Sequence, residues 1–369
     1  LAVCDNIAMK VAIYAIALNE EKHVKRWYES SKEADYHIIA DTGSTDDTVK
    51  IAEELGIQTY RISIKPWRFD DARNAALALV PTDADYCIIL DMDEVLSPGW
   101  RDELQKAYDV GGITRPQHKI VTDFDKDGKP AVQFFANRVH ARHNYRWKYP
   151  IHEVVTPYQL EKETTHEIGM EVWHYPDNNK SRGQYLDMLA VAYDENPVDP
   201  RVLYYYGREL FYHGKFLQAR EVFLEYLKYS TFPAEKAYAL RYLAKCSPDQ
   251  AEEYLLQSIE TFNCREGVLA LANHYYIMKQ WNECLLAAEE GMKITERFNT
   301  FMSEEWAWGH MAYDLAAISA WQLEDWDTAL RYGEMAVERS PDDERLQNNV
   351  KFYREKKEKL DANISTDGG

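Results

Sequence analysis

The sequence predicts an α/β domain built on a mostly parallel sheet, followed by an all-α domain of stacked helical hairpins. Three observations carry this reading. Through the first half, short apolar runs alternate with amphipathic stretches of helical length, the order expected of parallel strands joined by right-handed crossovers. From residue 177 onward the chain reads as helix. Within that half, small residues recur at about the 34-residue period of a helical-hairpin repeat.

With 369 residues, 46% of them hydrophobic and 13% aromatic, the chain can bury two cores. A formal net charge of −19 argues against phosphate-backbone binding as its main business, because that needs a basic surface. Five cysteines, odd in number and without Cys-x-x-Cys spacing, point to reduced thiols and a cytoplasmic setting, with no zinc site or disulfide framework. No apolar run approaches 18 residues, so no membrane span is expected. The first eight residues lack the features of a signal peptide, and Met9 is the expected natural start.

In chain order, Lys10–Leu18 reads as a buried strand, followed by a helix with apolar positions at Val24, Trp27 and Tyr28. Tyr36–Ala40 is a second strand. The turn Asp41-Thr42-Gly43-Ser44-Thr45-Asp46 follows, with Ser44 or Thr45 expected to cap a helix running to Leu55. Ile57–Ile62 is a third strand, and a helix opens at Asp70. Tyr86–Leu90 is an apolar run suited to burial on both faces of the sheet, and it breaks into Asp91-Met92-Asp93-Glu94. Ligands collect outside the carboxyl ends of strands in such sheets, so Asp91 and Asp93 belong at a crevice mouth. Two aspartates one residue apart can share a hard divalent cation that takes further oxygens from phosphate. Glu94 reads as a helix-start carboxylate. After Trp100, Gly111–Val121 and Ala131–Val139 are β-rich, joined by a hairpin turn at Asp125–Lys129.

Four segments, Ala17-Leu18-Asn19-Glu20, Asp41-Thr42-Gly43-Ser44-Thr45-Asp46, Asp71-Ala72-Arg73-Asn74 and Asp91-Met92-Asp93-Glu94, stand in an order and spacing that resembles the nucleotide-sugar half of family 2 glycosyltransferases. The resemblance covers roughly residues 10 to 176 and implies a GT-A fold. It implies that Leu18, Asn19, Glu20 and Asp41 hold the nucleobase and that Arg73 lies near the nucleotide. It further implies that Asp91-Met92-Asp93 meets the ribose, with Asp91 and Asp93 on a Mn²⁺ or Mg²⁺ ion bridging the diphosphate. His174, closing the domain in Trp173-His174-Tyr175-Pro176, resembles the third metal ligand of many members. Independently, a carboxylate such as Asp41 can accept from the imide N–H of uracil, and a departing diphosphate needs cations and hydrogen-bond donors where its charge grows.

Tyr145–Val155 crowds aromatic, basic and acidic side chains where the family places its acceptor side. A base for an inverting displacement must lie within hydrogen-bond reach of the acceptor nucleophile. Glu153 is the candidate, with His152 as the alternate; the Glu-Asp pair that carries the base in familiar members is absent.

In the second half, Gly207/Leu210/Ala219/Phe223, Ala239/Tyr242/Ala251/Leu255, Ala272/Tyr275/Cys284/Ala288 and Ala317/Ala320/Ala329/Ala336 align as copies resembling tetratricopeptide repeats, with an insertion at residues 299–306. The aromatic stripe from Tyr204 to Phe216 reads as packing. The expected boundaries are 9–176 for the transferase domain, 177–360 for the helical domain and 361–369 for a disordered tail.

Together these imply an inverting, metal-dependent transferase taking a UDP-sugar to a peptide, protein or glycan acceptor, with the repeats serving acceptor or homodimer contacts. Peptide glycosyltransferases of the sublancin S-glycosyltransferase type share the layout. Two rival readings are a solenoid scaffold with an inactive transferase domain and a nucleotidyltransferase. The intact carboxylate and arginine set speaks against the first. The second would be expected to open with a Gly-rich basic loop, where this chain has acidic Asn19-Glu20-Glu21.

Overall fold

A computed structural model describes residues 8–124, 130–176, 183–298 and 302–366. The chain divides into two compact units, Leu1–Glu195 and Asn196–Gly369.

In the first unit the elements are β1 (Val11–Ala17), α1 (Glu21–Ser31), β2 (Tyr36–Asp41), α2 (Thr48–Glu54), β3 (Gln58–Arg61), α3 (Phe69–Leu79), β4 (Tyr86–Ile89) and β5 (Glu94–Leu96). They continue with α4 (Trp100–Val110), β6 (Arg115–Phe124), β7 (Pro130–Ala136), β8 (Val139–Ala141), β9 (Tyr145–Lys148), β10 (Val154–Pro157), β11 (Thr165–His174) and α5 (Tyr185–Glu195). A five-stranded sheet has the order β3-β2-β1-β4-β8, parallel except for the antiparallel edge strand β8. Every residue of β4 is buried, as its unbroken apolar run requires. One sheet face packs Ile13, Ile39 and Ile88 on Trp27 and Trp100; the other packs Tyr14, Ile38 and Ile89 on Trp147. A second sheet, β5-β11-β6-β7, is mixed, and β9 and β10 form a separate antiparallel ribbon.

Two local expectations are corrected. The second helix begins at Thr48 rather than after Ser44 or Thr45. The Ser44 N–H is held by the Asp41 carboxylate, and Asp46 Oδ1 accepts from the Thr48 N–H instead (3.0 Å). Glu94 opens strand β5, not a helix, because β11 pairs with it edge to edge. The hairpin turn expected at 125–129 lies outside the described residues.

The second unit comprises α6 (Pro200–Tyr212), α7 (Phe216–Tyr229), α8 (Pro233–Cys246), α9 (Ala251–Thr261), α10 (Arg265–Ile277), α11 (Trp281–Lys293), α12 (Met311–Gln322), α13 (Trp326–Arg339) and α14 (Glu344–Thr366). Consecutive helices pack as hairpins, α6 with α7, α8 with α9, α10 with α11 and α12 with α13, and α14 covers α13. The sixteen aligned repeat positions are buried except for half-buried Tyr275. Ala219, Ala251, Cys284 and Ala329 each sit on the second helix of a hairpin. Their smallness has a visible reason at Gly207, where a Cβ would lie 2.9 Å from the Phe223 ring. The tetratricopeptide-like order is therefore present. Helix α5, within the stretch read as repeat, belongs to the first unit, and α14 continues to Thr366 through most of the expected tail. The last three residues are outside the described set.

Candidate active site

Parallel pairing in register brings the carboxyl ends of β1, β2 and β4 to one edge of the sheet. Beyond β1, Asn19 takes a left-handed conformation (φ 57°) that an asparagine tolerates. Its N–H donates to Ser44 Oγ (2.9 Å), and its Oδ1 accepts from the Thr45 N–H (2.8 Å). This ties the first two strand-end loops together and leaves Leu18 53% exposed, an apolar surface at the crevice. Glu20 is buried, its N–H donating to Thr48 Oγ1 (2.7 Å). The Asp41 carboxylate is fully buried and accepts from the amides of Gly43 (3.2 Å) and Ser44 (3.0 Å) and from Arg61 Nη1 (2.7 Å). Its oxygens are thus shared between its own turn and the Arg61 guanidinium at the end of β3. Met92 is buried in the core rather than at the crevice.

Arg73, Asp91 and Glu153 are brought together from three separate segments. Arg73 Nη1 and Nη2 reach the two Asp91 oxygens (2.8 and 3.3 Å), while Nε donates to Glu153 Oε1 (2.5 Å). The chain of charges continues past Asp91. Arg138 Nη1 lies 3.4 Å from Asp91 Oδ2, and its Nη2 donates to Glu94 Oε1 (2.8 Å). Glu94 Oε2 accepts the Asp91 N–H (2.9 Å), closing the loop. The order is Glu153, Arg73, Asp91, Arg138, Glu94, with signs alternating. Burial opposes the charge on Arg73, but Asp91 and Glu153 hold it firmly protonated; Glu94 and Asp91 do the same for Arg138. Burial pushes the Glu94 carboxyl up, against the pull of Arg138.

Pairing of β11 with β5 sets His174 opposite Glu94, and the Tyr175 N–H donates to the Asp93 carbonyl (2.9 Å). His174 Nε2 thus comes 3.7 Å from Asp93 Oδ2, and that carboxylate raises the imidazole above its ordinary value against its partial burial. The structure therefore joins Asp93 with His174 and places Asp91 on two arginines. Among the described residues no three His, Cys, Asp or Glu side chains are grouped as a metal cage. A nucleotide-bound divalent cation needs only one or two protein ligands and fills its sphere with phosphate and water oxygens. The Asp93–His174 pair fits that donor set.

Beneath the charges lies Trp147, with the Arg73 guanidinium 5.1 Å above its ring. The Asn74 amide pairs with the Trp147 backbone in both directions, accepting from N–H (2.8 Å) and donating to C=O (3.0 Å). This pins β9 to α3 and so fixes the approach of Glu153 to Arg73. Trp147 Nε1–H donates to Tyr14 Oη (2.9 Å), which pairs with His140 Nε2 (2.9 Å). His152, the alternate base, has φ 52° and sits edge-on to Tyr185 (6.0 Å). The sequence reading missed Arg138 and Glu94 as site members and Asn74 and Trp147 as their supports. The available signal was a lone arginine directly before a strand short enough to be an edge.

Residues 13–167 match the family described as Glycosyl transferase family 2. This segment is a family 2 glycosyltransferase domain. An uncharacterised glycosyltransferase of Rickettsia conorii is 35% identical over 105 residues, covering 28% of this chain and 36% of the relative. One of Rickettsia prowazekii is 30% identical over 128 residues, covering 33% and 42%. The chain thus spans well under half the length of these relatives. Solved structures similar to it include MamA (17% identity, 45% of this chain and 96% of that one, TM-score 0.37) and YrrB, a TPR protein with an unusual peptide-binding site (15%, 46% and 82%, TM-score 0.37). The fold of the helical unit rests on its own packing. No helix among the described residues is long and apolar enough to cross a membrane.

Proposed function

We propose that the protein is an inverting glycosyltransferase that moves a sugar from a UDP-sugar to a peptide, protein or glycan acceptor. The observation that carries this is the alternating chain Glu153, Arg73, Asp91, Arg138, Glu94 at the carboxyl edge of the sheet, beside the Asp93–His174 pair. In this reading Leu18 and Asn19 line the nucleobase side, and Asp91, oriented by two arginines, accepts from ribose hydroxyls. Arg73 and Arg138 supply positive charge where the departing diphosphate gains negative charge. Asp93 and His174 would hold Mn²⁺ or Mg²⁺, which when bound supplies Lewis-acid stabilisation of that leaving group. Glu153, steadied by Arg73, takes the proton of the acceptor nucleophile as the new bond forms at the anomeric carbon. The bond to the diphosphate breaks in the same displacement, and its electron pair leaves with UDP.

The test is a thermal-shift panel of UDP-, GDP-, TDP- and CMP-sugars, each with Mn²⁺, Mg²⁺ or EDTA. A ligand that binds only the folded state raises the melting temperature by mass action. A metal-dependent shift with one UDP-sugar supports the reading, and Asp93→Ala should remove that shift. No shift with any sugar nucleotide would favour the scaffold reading.

A further inference from the structure

Arg61, the last residue of β3, stands at the same carboxyl edge of the sheet as Asp41, because parallel pairing of β2 with β3 sets the two opposite each other. Its Nη1 donates to Asp41 Oδ2 (2.7 Å) and to the Ser44 carbonyl (3.3 Å). The two partners differ sharply in access: the Asp41 side chain is 1% exposed and the Arg61 side chain 63%. A molecule entering this end of the crevice therefore meets the guanidinium, and the carboxylate lies behind it. Both of these bonds use Nη1, so the guanidinium keeps further N–H donors for a visitor.

Beside that guanidinium is a slot kept open by a missing side chain. Gly43 has φ 135°, a conformation that suits glycine, and a Cβ there would lie 3.5 Å from Arg61 Nη2 and 3.9 Å from Leu18 Cδ1. Exposed Leu18 and exposed Arg61 thus flank the same bare backbone, one apolar and the other a donor. A flat heterocycle can lay its face against the leucine and turn a polar edge to the guanidinium. The walls are held in advance of any ligand. Asn19 ties the Leu18 loop to Ser44 and Thr45, and the charge-assisted bond from Asp41 fixes Arg61.

We propose that Arg61 reads the nucleobase, donating to the 4-keto oxygen of uracil, while Asp41 positions Arg61 instead of meeting the base itself. The proposal rests on the sugar-nucleotide reading of this site and gives that reading a basis for its choice of base. A guanidinium offers only donors, so it accepts a keto edge and refuses the 4-amino group of cytosine, which is itself a donor. If Arg61 served only to neutralise buried Asp41, the two pyrimidines would bind alike.

The experiment is calorimetric titration of the full-length chain with UDP, CDP and GDP in the presence of Mn²⁺. The parent should bind UDP about tenfold more tightly than CDP, the scale on which one well-placed arginine separates bases. Arg61→Met should weaken UDP by about the same factor and bring it level with CDP. Should that variant unfold because Asp41 is left buried and unpaired, Arg61→Lys keeps a cation on the carboxylate but lacks the planar fork, and should lose most of the preference. UDP binding that neither variant alters would overturn the assignment alone. So would an equal loss of UDP and CDP affinity, the signature of a merely structural arginine, or tighter binding of GDP than of UDP by the parent. No binding of any diphosphate by the parent would overturn the donor reading and this assignment with it.

Discussion

At the scale of the residue, the site depends on charges that are mutually compensating. Glu153 illustrates a role that separates cleanly from binding. Its exchange to Gln keeps the shape and a hydrogen-bond acceptor for Arg73 but removes proton uptake. Turnover should fall by about 10²–10⁴ with sugar-nucleotide binding retained, which steady-state rates and calorimetry together would show. If full transfer persisted, the base would lie elsewhere, with His152 next in line. Arg138 illustrates the opposite case. Its guanidinium joins Asp91 to Glu94, whose carboxylate is 1% exposed. Arg138→Met alone strands that carboxylate and should cost about 3–5 kcal/mol in chemical denaturation. Pairing it with Glu94→Gln should recover most of the loss. A non-recovering double variant would mean that Arg138 acts chiefly through Asp91.

At the scale of the element, three helical hairpins turn the same corner with different residues. Gly214, Lys279 and Glu324 all have positive φ (70°, 58° and 62°), each five residues before Ala219, Cys284 or Ala329. In each, the next amide donates back to a helix carbonyl five residues earlier: Lys215 to Leu210, Gln280 to Tyr275 and Asp325 to Ala320, all at 2.9 Å. This is the Schellman ending, which glycine adopts without steric penalty. Lys279→Gly and Glu324→Gly should therefore each stabilise the helical unit by up to about 1 kcal/mol, an inversion of the usual penalty for adding glycine. Loss of stability in either would show that the lysine or glutamate side chain contributes more than the backbone strain costs. The α8–α9 corner departs from this rule. Its connection is a short 3-10 turn, Pro248–Gln250, yet Ala239 and Ala251 keep the same spacing as Gly207 and Ala219.

At the scale of the whole molecule, buried histidines make stability depend on pH. Burial lowers His118 to about 3 and His140 to about 4, and His140 Nδ1 pairs with the Ala141 carbonyl (2.8 Å). With that nitrogen donating, Nε2 is left to accept from Tyr14, so the neutral ring is the one the network fits. Unfolded histidine binds its proton near pH 6.5, well before either folded one does. Their stabilisation is thus full above pH 6.5 and declines as pH falls, by about 1.4 kcal/mol per unit for each ring. Glu94, pushed up by burial, opposes this with one proton between its unfolded and folded values. Relative to the parent, His118→Leu should gain about 1.4 kcal/mol per pH unit between pH 6 and 4.5 in urea melts. A parallel pH profile for the two proteins would show that His118 is charged in the fold.

The sequence by itself determined the order and type of most elements, the three strand-end motifs and the Asp71-Ala72-Arg73-Asn74 motif on α3, because burial on two faces writes an apolar run and an αβ crossover has a fixed period. It also located the repeat positions, since close helix approach admits only small side chains. Boundaries moved where a side chain outbid the expected cap, as at Thr48. What only tertiary structure decided was which charges meet. Asp91 and Asp93 are neighbours in sequence, yet Asp91 turns to Arg73 and Arg138 while Asp93 turns to His174, some eighty residues downstream. The cause is strand pairing. The β4–β8 pairing carries Arg138 to the end of β4, and the β5–β11 pairing carries His174 beside Glu94. Hydrophobic patterning reads from one segment at a time, whereas an ion pair belongs to two segments and exists only once both are placed.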